Sequence, residues 1–104
     1  MENPNKPVRC LAMLVHNEDT RVAEFEIEPK TEGEAHYHTS VSEYCVCLRG
    51  QFQVKTSGSS AHSFRPGERT KIQAGVTHQI INTGTVPWRY LVVQYGGAYD
   101  FVTV

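Results

Sequence analysis

Gly33-Glu34-Ala35-His36-Tyr37-His38-Thr39-Ser40-Val41-Ser42-Glu43 is the stretch whose reading decides the fold. Side chains alternate with period 2 along a strand, so His36 and His38 project from one face and converge, while Tyr37 points the other way. The short polar break Thr39-Ser40 lets the chain turn and return the Glu43 carboxylate to the same point. A second string, Gly67-x7-Gly75-x2-His78-x3-Asn82, brings His78 from a distant hairpin. Three imidazoles and one carboxylate suit a single divalent transition metal such as Fe, Mn, Ni, Co or Zn. A His-x-His pair alone carries little weight, because polar surface strands hold histidines freely, and most glutamates are solvated. The weight comes from the joint pattern, with glycines flanking both strings and Asn82 following His78 by four.

That joint pattern resembles the cupin superfamily over residues 33–82, about half of the chain. The His-x-His-x4-Glu-x6-Gly core of the first cupin motif is met by His36, His38, Glu43 and Gly50, with Gly33 nearer to His36 than the usual leading glycine. The second motif is met by Gly67, Gly75, His78 and Asn82, with Gln73 where a proline is usual. That proline shapes a turn and ligates nothing, so the ligand set is untouched. The resemblance implies an all-β double-stranded β-helix (jelly-roll) cupin barrel with the metal held inside, here as one domain over residues 1–104. It implies no single reaction, since the fold hosts isomerases, oxygenases, decarboxylases, lyases and non-enzymatic binders.

Outward from the two motifs the chain reads as strands and turns, with no convincing helix. Val8 to Val15 is an apolar run of strand length whose lack of alternation predicts burial on both faces, and Asn17-Glu18-Asp19 ends it. From Arg21 to Glu28 the chain alternates, with Ala23, Phe25 and Ile27 on one face and a solvated row of Glu24, Glu26 and Glu28 on the other. Pro29 to Gly33 breaks that strand. Tyr44 to Leu48 forms the next, and Gly50 turns the chain into Phe52 to Lys55. The small polar run Thr56 to Ser60 is a hairpin tip, and Phe64 to Glu68 is a second turn. Beyond His78, Ile80 shares its face and Ile81 lies opposite. Trp88 to Tyr95 is a long strand, and a last strand runs from Tyr99 to Val104. Short strands at regular spacing with turn signals between them favour a β-sandwich or barrel.

A chain of 104 residues has room for one core. Its formal net charge of -1 provides no basic footprint, which argues against nucleic acid and anionic membrane surfaces as partners. No apolar run approaches a membrane span, and Met1 to Pro7 lacks the apolar stretch of a signal peptide, so a cytoplasmic location is expected. Three cysteines, an odd number, argue against a disulfide framework. Cys45 and Cys47 lie two apart on a strand, with Cα atoms about 6.5 Å apart, near the upper limit for a bridge. Counting by twos from Glu43 puts both on the ligand face. There they fill a narrow barrel as small buried residues, or, in the sharper alternative, Cys45 borders the metal pocket and tunes or shields it.

His16 and His62 flank turns and are expected at the surface, with a barrel-mouth acid or base as the alternative for His62. Gln73 and Gln94 are possible pocket polar groups. Trp88, Tyr90, Phe25 and Phe52 belong to the core or to a pocket floor. Four protein ligands around a six-coordinate ion leave up to two open positions. One ionised glutamate against a divalent cation leaves a local charge near +1, which favours a carboxylate, enolate or hydroxy-keto ligand. Ligation needs neutral imidazoles, so metal loss is expected as pH falls below about 6. The function expected from these features is a metal-binding small cupin acting on a small organic acid or carbonyl compound, as an Fe-dependent oxygenase or a Lewis-acid isomerase or lyase. The alternative is a non-catalytic module that binds metal and a small ligand. No residue outside the four ligands is a secure catalytic candidate. The resemblance and the apolar terminal strands imply a homodimer, and a barrel serving mainly as an assembly unit is a third reading.

Overall fold

The computed structural model describes residues 8–104. The segment 1–7, read above for a signal peptide, lies outside the described residues. The strands are β1 (Val8–His16), β2 (Thr20–Ile27), β3 (Thr31–Glu32), β4 (His36–Tyr37), β5 (Ser42–Arg49), β6 (Phe52–Thr56), β7 (His62–Phe64), β8 (Arg69–Ile72), β9 (His78–Asn82), β10 (Trp88–Tyr95) and β11 (Val102–Thr103). Every pairing is antiparallel. One sheet runs β1-β2-β10-β5-β8, and the other runs β11-β4-β9-β6-β7 with β3 also on β9. Among the described residues no helix is long and apolar enough to cross a membrane. This is the all-β jelly roll that the resemblance implies, and it agrees with the sandwich or barrel expected from the spacing of turns.

Alternation places the core between the sheets. β10 buries Trp88, Tyr90, Val92 and Gln94 at every second position, and β5 buries Glu43, Cys45 and Cys47 in the same way. Phe52 and Val54 of β6 and Ile80 of β9 meet them from the facing sheet, with Ile27 and Ile72 closing the cluster. Trp88 fits only because two glycines give it room. A Cβ on Gly50 would stand 2.1 Å from its indole Cδ1, and a Cβ on Gly84 would stand 2.7 Å from Cζ2. Gly50 also has φ +78°, in the region that side chains avoid. Asn82, fully buried, is a clamp: its Nδ2 donates to the Ile27 and Val86 carbonyls and its Oδ1 accepts from Gly84 N at 2.8 Å. The asparagine of the second motif thus holds backbone in place and points at no ligand.

Three expectations are corrected. β1 is not buried on both faces: it is the outer strand of its sheet, bulged twice, and Leu11, Met13, Leu14 and Val15 are exposed, Leu14 by 59%. Val8 packs against the core and, with Cys10, borders the cavity between the sheets, while the run from Leu11 onward is left largely to solvent. The glutamate row is not wholly solvated, because Glu26 is buried between Arg9 of β1 and Arg89 of β10, its partners on either side. Burial pushes its carboxyl up, but the two guanidiniums outweigh burial and hold it below the usual range. The last strand covers only Val102–Thr103, since Tyr99 to Phe101 form an irregular segment facing β4.

Candidate metal centre

The register of the strands assembles the four motif residues. β4 and β9 pair with His36 opposite His78, so their rings stand with centroids 4.3 Å apart. His38 follows β4 on the same face, 4.9 Å from His36 by ring centroid. Glu43, at the start of β5, enters from the other sheet. All four are buried and border one cavity of about 530 Å³ that opens between the sheets.

Each imidazole is anchored in the same way. His36 Nδ1 meets the Glu34 carbonyl at 2.8 Å, His38 Nδ1 meets the Asp100 carbonyl at 2.6 Å, and His78 Nδ1 meets the Val76 carbonyl at 2.9 Å. A carbonyl only accepts, so each Nδ1 carries the proton and donates, leaving the Nε2 lone pairs for the cavity. The ligand atoms of the three histidines lie within 4.8 Å of one another. His78 Nε2 is 2.8 Å from Glu43 Oε1, yet the approach is off the line of a hydrogen bond and the buried nitrogen is left without a partner. By distance the pair is an ion pair and by direction it is not bonded. Direction decides, because hydrogen bonds weaken steeply off axis, and side-by-side convergence is the stance of ligands around a shared cation. The three histidines therefore form a cluster able to hold a metal, and Glu43 stands against two of them, 3.7 Å from His38 Nε2.

The electrostatics agree with that arrangement. Burial lowers His36 to about 4, outweighing the Glu34 carbonyl, and its two histidine neighbours push the same way. It is neutral and ready to ligate at neutral pH. Burial also disfavours the charged form of His38, but the nearby Glu43 carboxylate and the hydrogen bond to the Asp100 carbonyl overcome it and raise the pKa. Burial pushes the Glu43 carboxyl up, and His38, His78 and Gln94 together hold it far below the usual carboxylate range, so it is ionised.

Gln94, offered by the sequence only as a possible pocket polar group, lies opposite Glu43 in the β5–β10 ladder. Its Nε2 donates to Glu43 Oε2 at 2.8 Å, and its Oε1 accepts from Arg21 Nη1 at 3.3 Å. Both contacts fix the amide orientation, because a carboxylate cannot donate and a guanidinium cannot accept. Gln73 is exposed and reaches Ser42 instead. Cys45 borders the cavity, as in the sharper of its two readings, while Cys47 is packed in the core. Burial raises the Cys45 thiol well above its ordinary value, so in the metal-free protein it is a neutral thiol at neutral pH. Tyr90 and Phe25 also border the cavity, whereas Trp88 and Phe52 are core. His16 and His62 are exposed, and His62 does not border the cavity.

The sequence reading missed the segment Tyr99-Asp100-Phe101. Asp100 lends its carbonyl to His38, its carboxylate accepts from Thr39 N at 2.7 Å, and Phe101 stacks on His36 at 4.0 Å. Two aromatics around an acid after Gly96-Gly97 were the only available signal.

The sequence model of one family, described as Cupin domain, matches residues 23–94. No curated protein matches the chain. Among solved structures, an uncharacterized conserved protein with a double-stranded beta-helix domain from Klebsiella pneumoniae superposes with a TM-score of 0.84 at 16% identity, covering 99% of this chain and 89% of that one. The polyketide cyclase RemF from Streptomyces resistomycificus gives 0.80 at 20% identity, covering 95% and 72%. An oxalate oxidase gives 0.74 at 22% identity, covering 83% of this chain and 46% of that one. At such identities the likeness is one of fold.

Proposed function

The chain belongs to the cupin domain family, and from that premise we propose that it binds one divalent transition metal through His36, His38, Glu43 and His78 and acts on a small organic acid or carbonyl compound. The observation that carries this reading is the set of three buried imidazoles whose Nδ1 protons are committed to backbone carbonyls while their Nε2 atoms converge. Bound there, an Fe, Mn, Ni, Co or Zn ion supplies Lewis acidity and open positions for an oxygen-bearing ligand. Glu43 lowers the local charge and is aimed by Gln94. The cavity volume lies in the range typical of small-molecule sites, roughly 300–1,000 Å³.

Elemental analysis of protein purified without added metal or affinity tag tests the reading, with His78→Ala as control. Near-stoichiometric metal in the wild type and little in the variant is expected. No metal in either, even after reconstitution, would overturn it. An oxygenase is favoured by Fe, and a redox-neutral isomerase, lyase or binding role by Mn, Ni or Zn.

One observation favours a non-catalytic binding module as the second reading. Among the described residues, the buried ionisable groups bordering the cavity apart from the four proposed ligands are Cys45 and Tyr90, and burial raises both well above their ordinary values. Neither serves as a general base near neutral pH. Turnover of a small acid or carbonyl compound that disappears in His38→Ala would reject this second reading. The exposed apolar residues of β1, on an open sheet edge, support a homodimer, and light scattering at micromolar concentration checks it. Three free thiols suit a reducing, cytoplasmic compartment.

A further inference from the structure

We propose that the cavity takes a monoanionic chelating ligand with an apolar tail, of which a branched-chain 2-oxo acid is a simple form, in preference to a dicarboxylate or a phosphorylated sugar. This rests on the metal reading above and concerns what surrounds the metal-facing residues. Beyond them the walls are mostly apolar, Phe25, Ile80, Val92 and Phe101 among them, with Gln94 and Tyr99 as neutral polar members, and no lysine or arginine among the described residues borders the cavity. The guanidinium that approaches this region, Arg21, lies 3.6 Å over the Tyr99 ring, gives its Nη1 to Gln94, and borders a neighbouring crevice instead. Exposed Glu32 and Glu34 stand at the cavity edge and add negative charge there.

A first anionic group on a ligand is met by the divalent ion. A second would lose its water against apolar walls with no counter-ion, near two carboxylates, and buried unpaired charge is strongly unfavourable. An apolar tail in the same place gains from leaving water. The volume of about 530 Å³ leaves space for such a tail beside the chelating head.

The test is a matched pair: 4-methyl-2-oxopentanoate and 2-oxoglutarate share a 2-oxo acid head and differ in an isobutyl against a carboxyethyl tail. Each is titrated calorimetrically into protein loaded with one equivalent of Mn²⁺, with metal content measured before and after. The expected result is at least tenfold tighter binding of 4-methyl-2-oxopentanoate. Phe101→Arg places a cation at the rim, where Phe101 is 47% exposed, and is expected to narrow or reverse that ratio. Equal affinities, tighter 2-oxoglutarate, no binding of either acid to loaded protein, or an unchanged ratio in folded Phe101→Arg would each overturn the ligand class and leave the metal reading standing. Failure of the wild type to take up Mn²⁺ would overturn both. If Phe101→Arg does not fold, the wild-type ratio decides alone.

Discussion

Gln94 and Glu43 face each other across the β5–β10 ladder, and the amide of one holds a carboxylate oxygen of the other at 2.8 Å. The far side of that amide is held by Arg21, so a residue of β2 fixes the direction of a carboxylate on β5 through an intermediary on β10. Groups that orient a metal-facing carboxylate act on affinity without touching the ion. Gln94→Leu is therefore expected to weaken metal binding by about 10- to 100-fold. Competition against a chromophoric chelator measures this, with thermal melting of the metal-free variant to show that the fold survives. Unchanged affinity in a folded variant would mean that Glu43 needs no such support.

Metal binding should release protons from one histidine and not from another. His38 holds its proton above the ordinary value of 6.5, while His36 has already lost its proton above about 4. At pH 6.5 the incoming ion displaces the proton of His38 and none from His36. Affinity is expected to begin falling above pH 6.5 as pH decreases, earlier than free histidine would suggest. Calorimetry in two buffers of different ionisation enthalpy counts the protons, and a release near zero at pH 6.5 would contradict the raised value of His38.

The metal-free fold should be acid-labile over a defined window. Its His36 refuses, down to about pH 4, a proton that the unfolded chain accepts at 6.5. Stability therefore falls as pH drops from 6.5 to 4, by up to about 3 kcal/mol for a shift of this size. The raised His38 does not alter that slope, because its contribution is fully present below 6.5 and is lost only as pH rises through its folded value. Glu43 and Glu26, both depressed, add a further loss below about 4.5. Urea midpoints of the metal-free protein across pH 4–7 measure the window, and a flat profile between 5 and 6.5 would refute the assignment to His36.

Gly50→Ala should destabilise by about 2–4 kcal/mol, since the methyl group adds a clash with Trp88 to a strained positive φ. Equilibrium unfolding followed by Trp88 fluorescence reads the change. Metal stoichiometry at saturation should be retained, because no metal-facing residue moves with it. A loss below 0.5 kcal/mol would mean that the indole has room to shift.

Much of the fold and centre was legible in the sequence because strict alternation leaves a mark. Trp88 to Tyr95 has the bounds expected of it, and His36, His38, Glu43 and His78 meet because a converging cluster constrains their spacing. What was not legible depends on register between distant segments. Asp100 lies 62 residues from the imidazole it anchors, and no local pattern couples them. Glu26 reads as a solvated strand residue until its flanking strands place Arg9 and Arg89 beside it. β1 has the composition of an interior strand, yet it is outermost in its sheet and largely exposed from Leu11 onward.

The anchoring of all three imidazoles on carbonyls of Glu34, Val76 and Asp100 has a consequence for how such a centre diversifies. Main-chain oxygen is the same whatever side chain accompanies it, so the anchoring bonds themselves need no particular residue, although at Asp100 the carboxylate also holds Thr39 N. The exposed Glu34 side chain can change without removing the carbonyl that sets the tautomer of His36, whereas Phe101, stacked on His36, bears on that ring directly. Ligand preference at the rim and the tautomers of the imidazoles thus rest on different parts of the chain, side chains for the first and backbone carbonyls for the second.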